Sequence, residues 1–146
     1  AEAVLRNHPE ERHGLLLLDL DNFEEFNRTY GKLRGDGVLR TVAAQLRSAL
    51  RPEDLIGRFG GDEFIVLMRS VPDRAAVQAM AERILSSDDN ALKVTKSIGI
   101  SLYPDDAGKL SDLMHLAELA LHASKQEKYA QTPARPTAAP AGDLTF

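Results

Sequence analysis

Residues 14–21, GLLLLDLD, are a short apolar run ending in carboxylates, the pattern of a strand buried on both faces whose last residues emerge at a site. A polar stretch rich in turn formers follows (Asn27, Gly31, Gly35). Residues 36–50 then set Val38, Leu39, Val42, Leu46, Ala49 and Leu50 at helical spacing, with Asp36 near the N-terminus and Pro52 as the stop. Leu55, Ile56 and Phe59, and then Phe64 to Met68, form two apolar pieces around Gly60-Gly61-Asp62-Glu63, which predicts a β-hairpin. Val77, Met80, Ala81 and Ile84 share one face of a helix predicted over 73–86. KVTKSIGISLY (93–103) is β-branched with rough alternation and stops at the turn residues Pro104-Asp105-Asp106. Leu110, Leu113, Ala117, Leu121 and Ser124 mark a last helix running to about Tyr129. The order β, α, β-hairpin, α, β, α predicts one α/β (α+β) domain, with a mainly antiparallel central sheet and helices packed on its faces. From Thr132 onward three prolines and four alanines show no apolar period. The globular body is therefore expected over 1–131 and a Pro/Ala-rich tail or linker over 132–146.

Composition narrows the classes. At 146 residues the chain holds one domain of ordinary size. Eighteen Lys and Arg against 22 Asp and Glu leave a formal charge of -4, which argues against a surface built to coat a nucleic acid polymer or anionic lipid. The absence of cysteine removes disulfides, thiolate metal sites and cysteine nucleophiles. Apolar runs such as Leu15 to Leu18 and Phe64 to Met68 are far short of a membrane span, so a soluble domain is expected. The chain opens Ala1-Glu2, as an excised piece of a longer protein or a processed chain would.

The candidate chemistry sits at the acidic strand end and the hairpin. Asp19 and Asp21 straddle Leu20, so both side chains are expected on one face with the Leu20 carbonyl between them. Such oxygen-rich clusters suit Mg²⁺, although a D-x-D at a strand end also fits plain surface carboxylates. Gly60 and Gly61 give a backbone that a ligand can approach closely, and Asp62 and Glu63 put two acids beside it. Adjacent acids after a double glycine are costly unless a cation neutralises them. Other constellations are weaker. His8, His13, His115 and His122 lack metal-ligand spacing, no G-K-[ST] follows Gly31 and Gly35, and no histidine is placed near Ser97 or Ser101.

Gly60 to Phe64 spells GGDEF, and residues 19–39, DLDNFEEFNRTYGKLRGDGVL, resemble the block D-x-D-x-F-K-x-x-N-D-x-x-G-H-x-x-G-D-x-x-L found upstream of that word in GGDEF domains, the diguanylate cyclases. VTKSIGIS (94–101) and LAELALHASK (116–125) are similar to the family's later strand and closing helix. The resemblance implies a ferredoxin-like sheet related to nucleotide-cyclase palms. It also implies a reaction that joins two GTP into cyclic di-GMP with release of pyrophosphate, in a facing homodimer.

Carried over by residue, the resemblance implies that Asp19, the Leu20 carbonyl, Asp62 and Glu63 hold Mg²⁺ (or Mn²⁺), with Asp62 and Glu63 also catalytic. Asn27 and Asp36 would read the guanine edge, Phe23 would line the site, Gly60 and Gly61 would pass close to the phosphates, and Lys125 would contact them. Arg51-Pro52-Glu53-Asp54 matches R-x-x-D five residues before GGDEF and so resembles the family's product-inhibition site, with Arg51 and Asp54 binding cyclic di-GMP. The chain departs from the pattern at Glu24 (Lys in the family), Arg28 (Asp), Lys32 (His) and Tyr129 (Arg), so two of three cationic phosphate contacts are replaced. The family's opening D-x-L-T-G-L-x-N-R segment is also absent. Two functions follow. One is a cyclase domain, cytoplasmic, beside sensory or EAL-type domains in a parent protein that is free-standing or membrane-anchored. The other is a catalytically weak or inactive regulatory module that binds GTP or cyclic di-GMP.

Overall fold

The predicted apolar strand is β1 (His13–Leu20), and it lies in the interior of a four-stranded sheet. Its surroundings are α1 (Glu2–Asn7), α2 (Phe23–Tyr30), α3 (Lys32–Ala49), β2 (Leu55–Arg58), β3 (Glu63–Met68), α4 (Arg74–Ser86), β4 (Lys96–Tyr103) and α5 (Leu110–Gln131). This structure, a computed structural model, describes residues 2–7, 10–86 and 94–131. The predicted tail over 132–146 lies outside the described residues.

The strands run in the order β2-β3-β1-β4, and every pairing is antiparallel. The element order predicts a mainly antiparallel sheet, and the strand order is the ferredoxin-like one that the resemblance implies. Alternation along β1 sends its side chains into two cores. Leu16, Leu18 and Leu20 pack with Val38, Val42 and Leu46 of α3 and with Val77, Ala81 and Ile84 of α4. Leu15 and Leu17 pack on the opposite face with Leu113, Ala117 and Leu121 of α5 and with Leu5 of α1. Burial on both faces explains why β1 reads as continuous leucine instead of alternating.

α5 lies directly on β4. At Gly99 a side chain has no room, since a Cβ there would stand 2.1 Å from the Ala117 carbonyl oxygen and 2.4 Å from the Leu121 nitrogen. The buried Ser101 hydroxyl donates to the Leu113 carbonyl (2.8 Å), tying the helix to the strand. His13 is fully buried, accepts from the Ser70 amide (3.0 Å) and stacks on Tyr103, so it is a packing residue. Among the described residues no helix is long and apolar enough to cross a membrane.

The sequence reading misses two helices, the short α1 and the helix that follows β1. Residues 23–30, taken there as part of a turn-rich stretch, form α2, whose Phe23, Phe26 and Tyr30 recur at helical spacing and stack (6.1 and 4.8 Å between centroids). Asn22 enters α2 in the left-handed conformation (φ 54°) with no side-chain cap, and Gly31 (φ 94°) separates it from α3. α3 consequently starts at Lys32, four residues before the predicted boundary, and includes Gly35 and Gly37.

Candidate functional site at one end of the sheet

The end of β1, the β2–β3 hairpin, the start of α2 and the C-terminal half of α5 surround an open cavity of about 710 Å³. Asp19, Leu20, Asp62, Glu63, Phe23 and Lys125 line it, so six of the sequence-predicted residues converge. Antiparallel register puts Asp19 directly opposite Glu63. Like charges in cross-strand positions repel, and the site supplies one partial answer: the Lys125 ammonium donates to Asp19 Oδ2. Asp19 Oδ1 stays buried with no hydrogen-bond partner. Burial raises the Asp19 pKa above the ordinary carboxylate value against the opposing pull of Lys125. Burial also raises that of Glu63, helped by the charges of Asp19 and Asp62.

These are the marks of a site built around more negative charge than its own side chains neutralise. An orphaned carboxylate oxygen, opposed acids and an all-oxygen donor set fit a hard divalent cation of the Mg²⁺ or Mn²⁺ kind. Among the described residues no three carboxylates or imidazoles are already gathered into a metal cluster.

The hairpin that carries Asp62 and Glu63 is closed by the Phe59 amide donating to the Glu63 carbonyl (2.8 Å) and by Arg58 donating to the Gly61 carbonyl. Gly60 turns it with φ 85°, a conformation that glycine adopts without strain. Open space lies where a side chain at Gly61 would stand. The Leu20 amide donates to the Asp62 carbonyl (3.3 Å), fastening the hairpin to the end of β1.

Other predicted residues fall elsewhere. Asp21 does not join Asp19 on one face: its carboxylate is buried, accepting from Thr95 Oγ1 (2.6 Å) and Ser97 Oγ (2.8 Å), and it anchors the end of β1 to the approach of β4. The D-x-D pair is thus divided into one acid for the cavity and one for the fold. Asn27, Asp36, Gly60 and Gly61 are not part of the cavity lining. Asn27 instead faces Gly35 of α3, where a Cβ would lie 1.7 Å from Asn27 Oδ1, and that oxygen is buried without a partner.

Arg51 and Asp54 come together, but on each other. Asp54, whose side chain is wholly inaccessible, accepts from the Arg51 guanidinium (2.8 and 3.2 Å), the Arg51 amide (3.0 Å) and the Arg69 amide (3.1 Å). Arg51 also donates to the Arg69 carbonyl. The R-x-x-D pair therefore stitches the chain after α3 to the end of β3.

Sequence reasoning assigned no role at the cavity to Glu118, His122 or Gln126, which line it beside Lys125. Their signal was available: positions 118, 121, 122, 125 and 126 form one face of a helix. Glu24 and Arg28, noted in the sequence as departures, also line the cavity and pair at 3.9 Å.

Residues 1–131 match the family profile described as "Diguanylate cyclase, GGDEF domain". The cyclic di-GMP phosphodiesterase NbdA of Pseudomonas aeruginosa is 41% identical over 118 residues, which cover 76% of this chain and 15% of NbdA. Diguanylate cyclase TpbB of the same species is 34% identical over 129 residues, 83% of this chain and 30% of TpbB. The chain thus spans less than a third of either relative. Among solved structures, the GGDEF domain of TpbB aligns with a TM-score of 0.80 at 34% identity, covering 86% of this chain and 84% of that one. The GGDEF domain of DgcB from Caulobacter crescentus, in complex with c-di-GMP, gives 0.75 at 28% identity, with 86% and 80% covered. The fold shared with these neighbours is the nucleotide-cyclase palm.

Proposed function

Because the chain belongs to the GGDEF domain family, we propose that residues 1–131 are a diguanylate cyclase domain that condenses two GTP into cyclic di-GMP and two pyrophosphates. The observation that carries this reading is the gathering of Asp19, Leu20, Asp62 and Glu63 around one cavity, with an Asp19 oxygen buried and unpartnered.

Asp19, the Leu20 carbonyl, Asp62 and Glu63 are the groups that would hold Mg²⁺ or Mn²⁺. Such an ion, when bound, neutralises triphosphate charge and favours ionisation of the attacking 3′-hydroxyl. The chain's own residues then have separate tasks. Lys125, which donates to Asp19, carries an ammonium at the cavity wall that would pair with phosphate oxygens. Asn27 and Asp36 supply the amide and carboxylate that match a guanine edge. Open space over Gly61 lets backbone approach a phosphate. Phe23, buried against Phe26, forms an apolar wall. One cavity holds one nucleotide, so two domains must face each other for the 3′-hydroxyl of each GTP to reach the α-phosphate of the other. Arg51 and Asp54 are the proposed product-inhibition pair. Binding there requires the Arg51 guanidinium to leave Asp54. The domain is proposed to work in the cytoplasm, alongside sensory or EAL-type domains of a longer protein.

The test is pyrophosphate release from GTP and Mg²⁺ at high protein concentration, where the dimer is populated. No release, together with failure of Glu24→Lys to restore it, sinks the cyclase reading. A second reading has its own observation: Glu24 lines the cavity where the resemblance expects a lysine. On that reading the domain binds GTP, or cyclic di-GMP at Arg51 and Asp54, without turnover and signals to a neighbour. The 41% identity to a protein named as a phosphodiesterase is compatible with it. Calorimetry distinguishes the two, since tight GTP binding without pyrophosphate supports the regulatory module.

A further inference from the structure

The cavity lining carries six acids, Asp19, Glu24, Glu25, Asp62, Glu63 and Glu118, against two side chains of fixed positive charge, Arg28 and Lys125. Lys125 is bonded to Asp19 on the inner side. Arg28 stands at the other wall, one turn along α2 from Glu24, with the guanidinium 3.9 Å from the Glu24 carboxylate. Arg28 is 71% exposed and Glu24 91% exposed. A long, solvated i,i+4 pair of this kind holds its partners weakly. Any multivalent anion within reach outcompetes it, and a phosphate offers more acceptor oxygens and more charge to the planar guanidinium fork. The sequence pattern makes the same point from another side. Where related domains carry a lysine at position 24 and an acid at position 28, this chain carries the acid first and the cation second. The positive charge is kept on α2 but displaced by one turn, roughly 6 Å along the axis.

We propose that Arg28 is the phosphate-positioning residue of this cavity: its guanidinium leaves Glu24 to bind the terminal phosphates of a nucleoside triphosphate, and Glu24 is its resting counter-ion. This rests on the reading that the cavity binds a guanine nucleotide. It accounts for a site that replaces the expected lysine without losing cationic capture. It also predicts discrimination by phosphate number, because a monophosphate has no terminal phosphate to reach Arg28.

The experiment is calorimetric titration of wild type, Arg28→Gln, Arg28→Lys and Glu24→Gln with 3′-deoxy-GTP and with GMP in Mg²⁺. The 3′-deoxy triphosphate lacks the attacking hydroxyl, so no turnover consumes it. Arg28→Gln is expected to weaken the triphosphate about tenfold, the scale of one charged hydrogen-bonding contact, and to leave GMP unchanged. Arg28→Lys keeps most of the affinity, and Glu24→Gln tightens the triphosphate. Equal weakening of both nucleotides, or triphosphate binding by Arg28→Gln within about twofold of wild type, overturns the assignment while leaving the guanine-nucleotide reading intact. Wild type that binds neither nucleotide overturns both. Thermal melts establish that the variants are folded, as expected for exposed positions.

Discussion

Alanine at position 35 puts a methyl group where Asn27 now holds its amide. The new Cβ would lie 1.7 Å from Asn27 Oδ1, 2.9 Å from its Cγ and 3.2 Å from Phe23 Cζ. All three atoms belong to side chains, so the backbones of α2 and α3 need not separate. Asn27 must turn its amide away, and its Oδ1 has no hydrogen-bond partner to lose. The helix itself gains about 0.8–1.0 kcal/mol from replacing an interior glycine by alanine. The displaced amide and a nudged Phe23 cost about 1 kcal/mol, at the low end of overpacking. Stability therefore stays within about 1 kcal/mol of wild type, a change of a few degrees at most in melting temperature. Nucleotide recognition behaves differently. If Asn27 reads guanine, its loss removes about 1–3 kcal/mol, roughly a 5- to 150-fold weaker affinity. Urea melts of Gly35→Ala beside titrations with 3′-deoxy-GTP and 3′-deoxy-ATP separate the two effects. A folded variant that binds the guanine nucleotide as wild type does, with the same preference over adenine, refutes the role given to Asn27.

Gly99→Ala makes the opposite prediction, because its collisions are with α5 backbone (2.1 Å to Ala117 O, 2.4 Å to Leu121 N). Lifting α5 costs about 3 kcal/mol, roughly 10 °C for a domain of this size, and a melt within about 2 °C of wild type would show that α5 does not rest on β4 as described. Asp54→Ala leaves the Arg51 guanidinium and two amides without their acceptor, a loss of about 3 kcal/mol to be read from the urea midpoint. Asp19 and Glu63, with ordinary values of 3.8 and 4.5, have raised pKa values, so their contribution to stability is present below those values and is lost as pH rises through the raised ones. Glu63→Gln is therefore expected to melt higher than wild type at pH 7, with the gain disappearing near pH 4; no gain at neutral pH contradicts the charge crowding. Mg²⁺ at about ten times its dissociation constant should stabilise wild type by about 1.4 kcal/mol, some 5 °C, and Asp19→Asn should abolish the shift.

Local pattern and tertiary partnership account for different parts of this molecule. The α2 helix carried a signal in Phe23, Phe26, Asn27 and Tyr30, but Asn22 lacks a cap bond and Gly31 and Gly35 suggest turns. Packing against α3 overrides those local signs, and at Gly35 the missing side chain is space for Asn27, not freedom for a turn. Asp21 looked equivalent to Asp19 by spacing. Its partners, Thr95 and Ser97, lie 74 and 76 residues away, so no local pattern distinguishes a structural acid from one that lines a cavity.

By itself the sequence determined the β, α, ββ, α, β order, the doubly buried β1, the amphipathic faces of α3, α4 and α5, and the GGDEF word that carries the family. Each of these is encoded in periodicity or in a contiguous motif, which is readable along the chain. Only the tertiary structure decided that Asp19 faces Glu63 while Asp21 turns to β4. It also decided that Asp54 is closed by Arg51 and two amides, and that α5 brings Glu118, His122 and Lys125 to the same cavity as Glu24 and Arg28. Those outcomes depend on which groups burial brings within hydrogen-bonding or Coulombic reach across distant segments, and that distance exists only once the chain is folded.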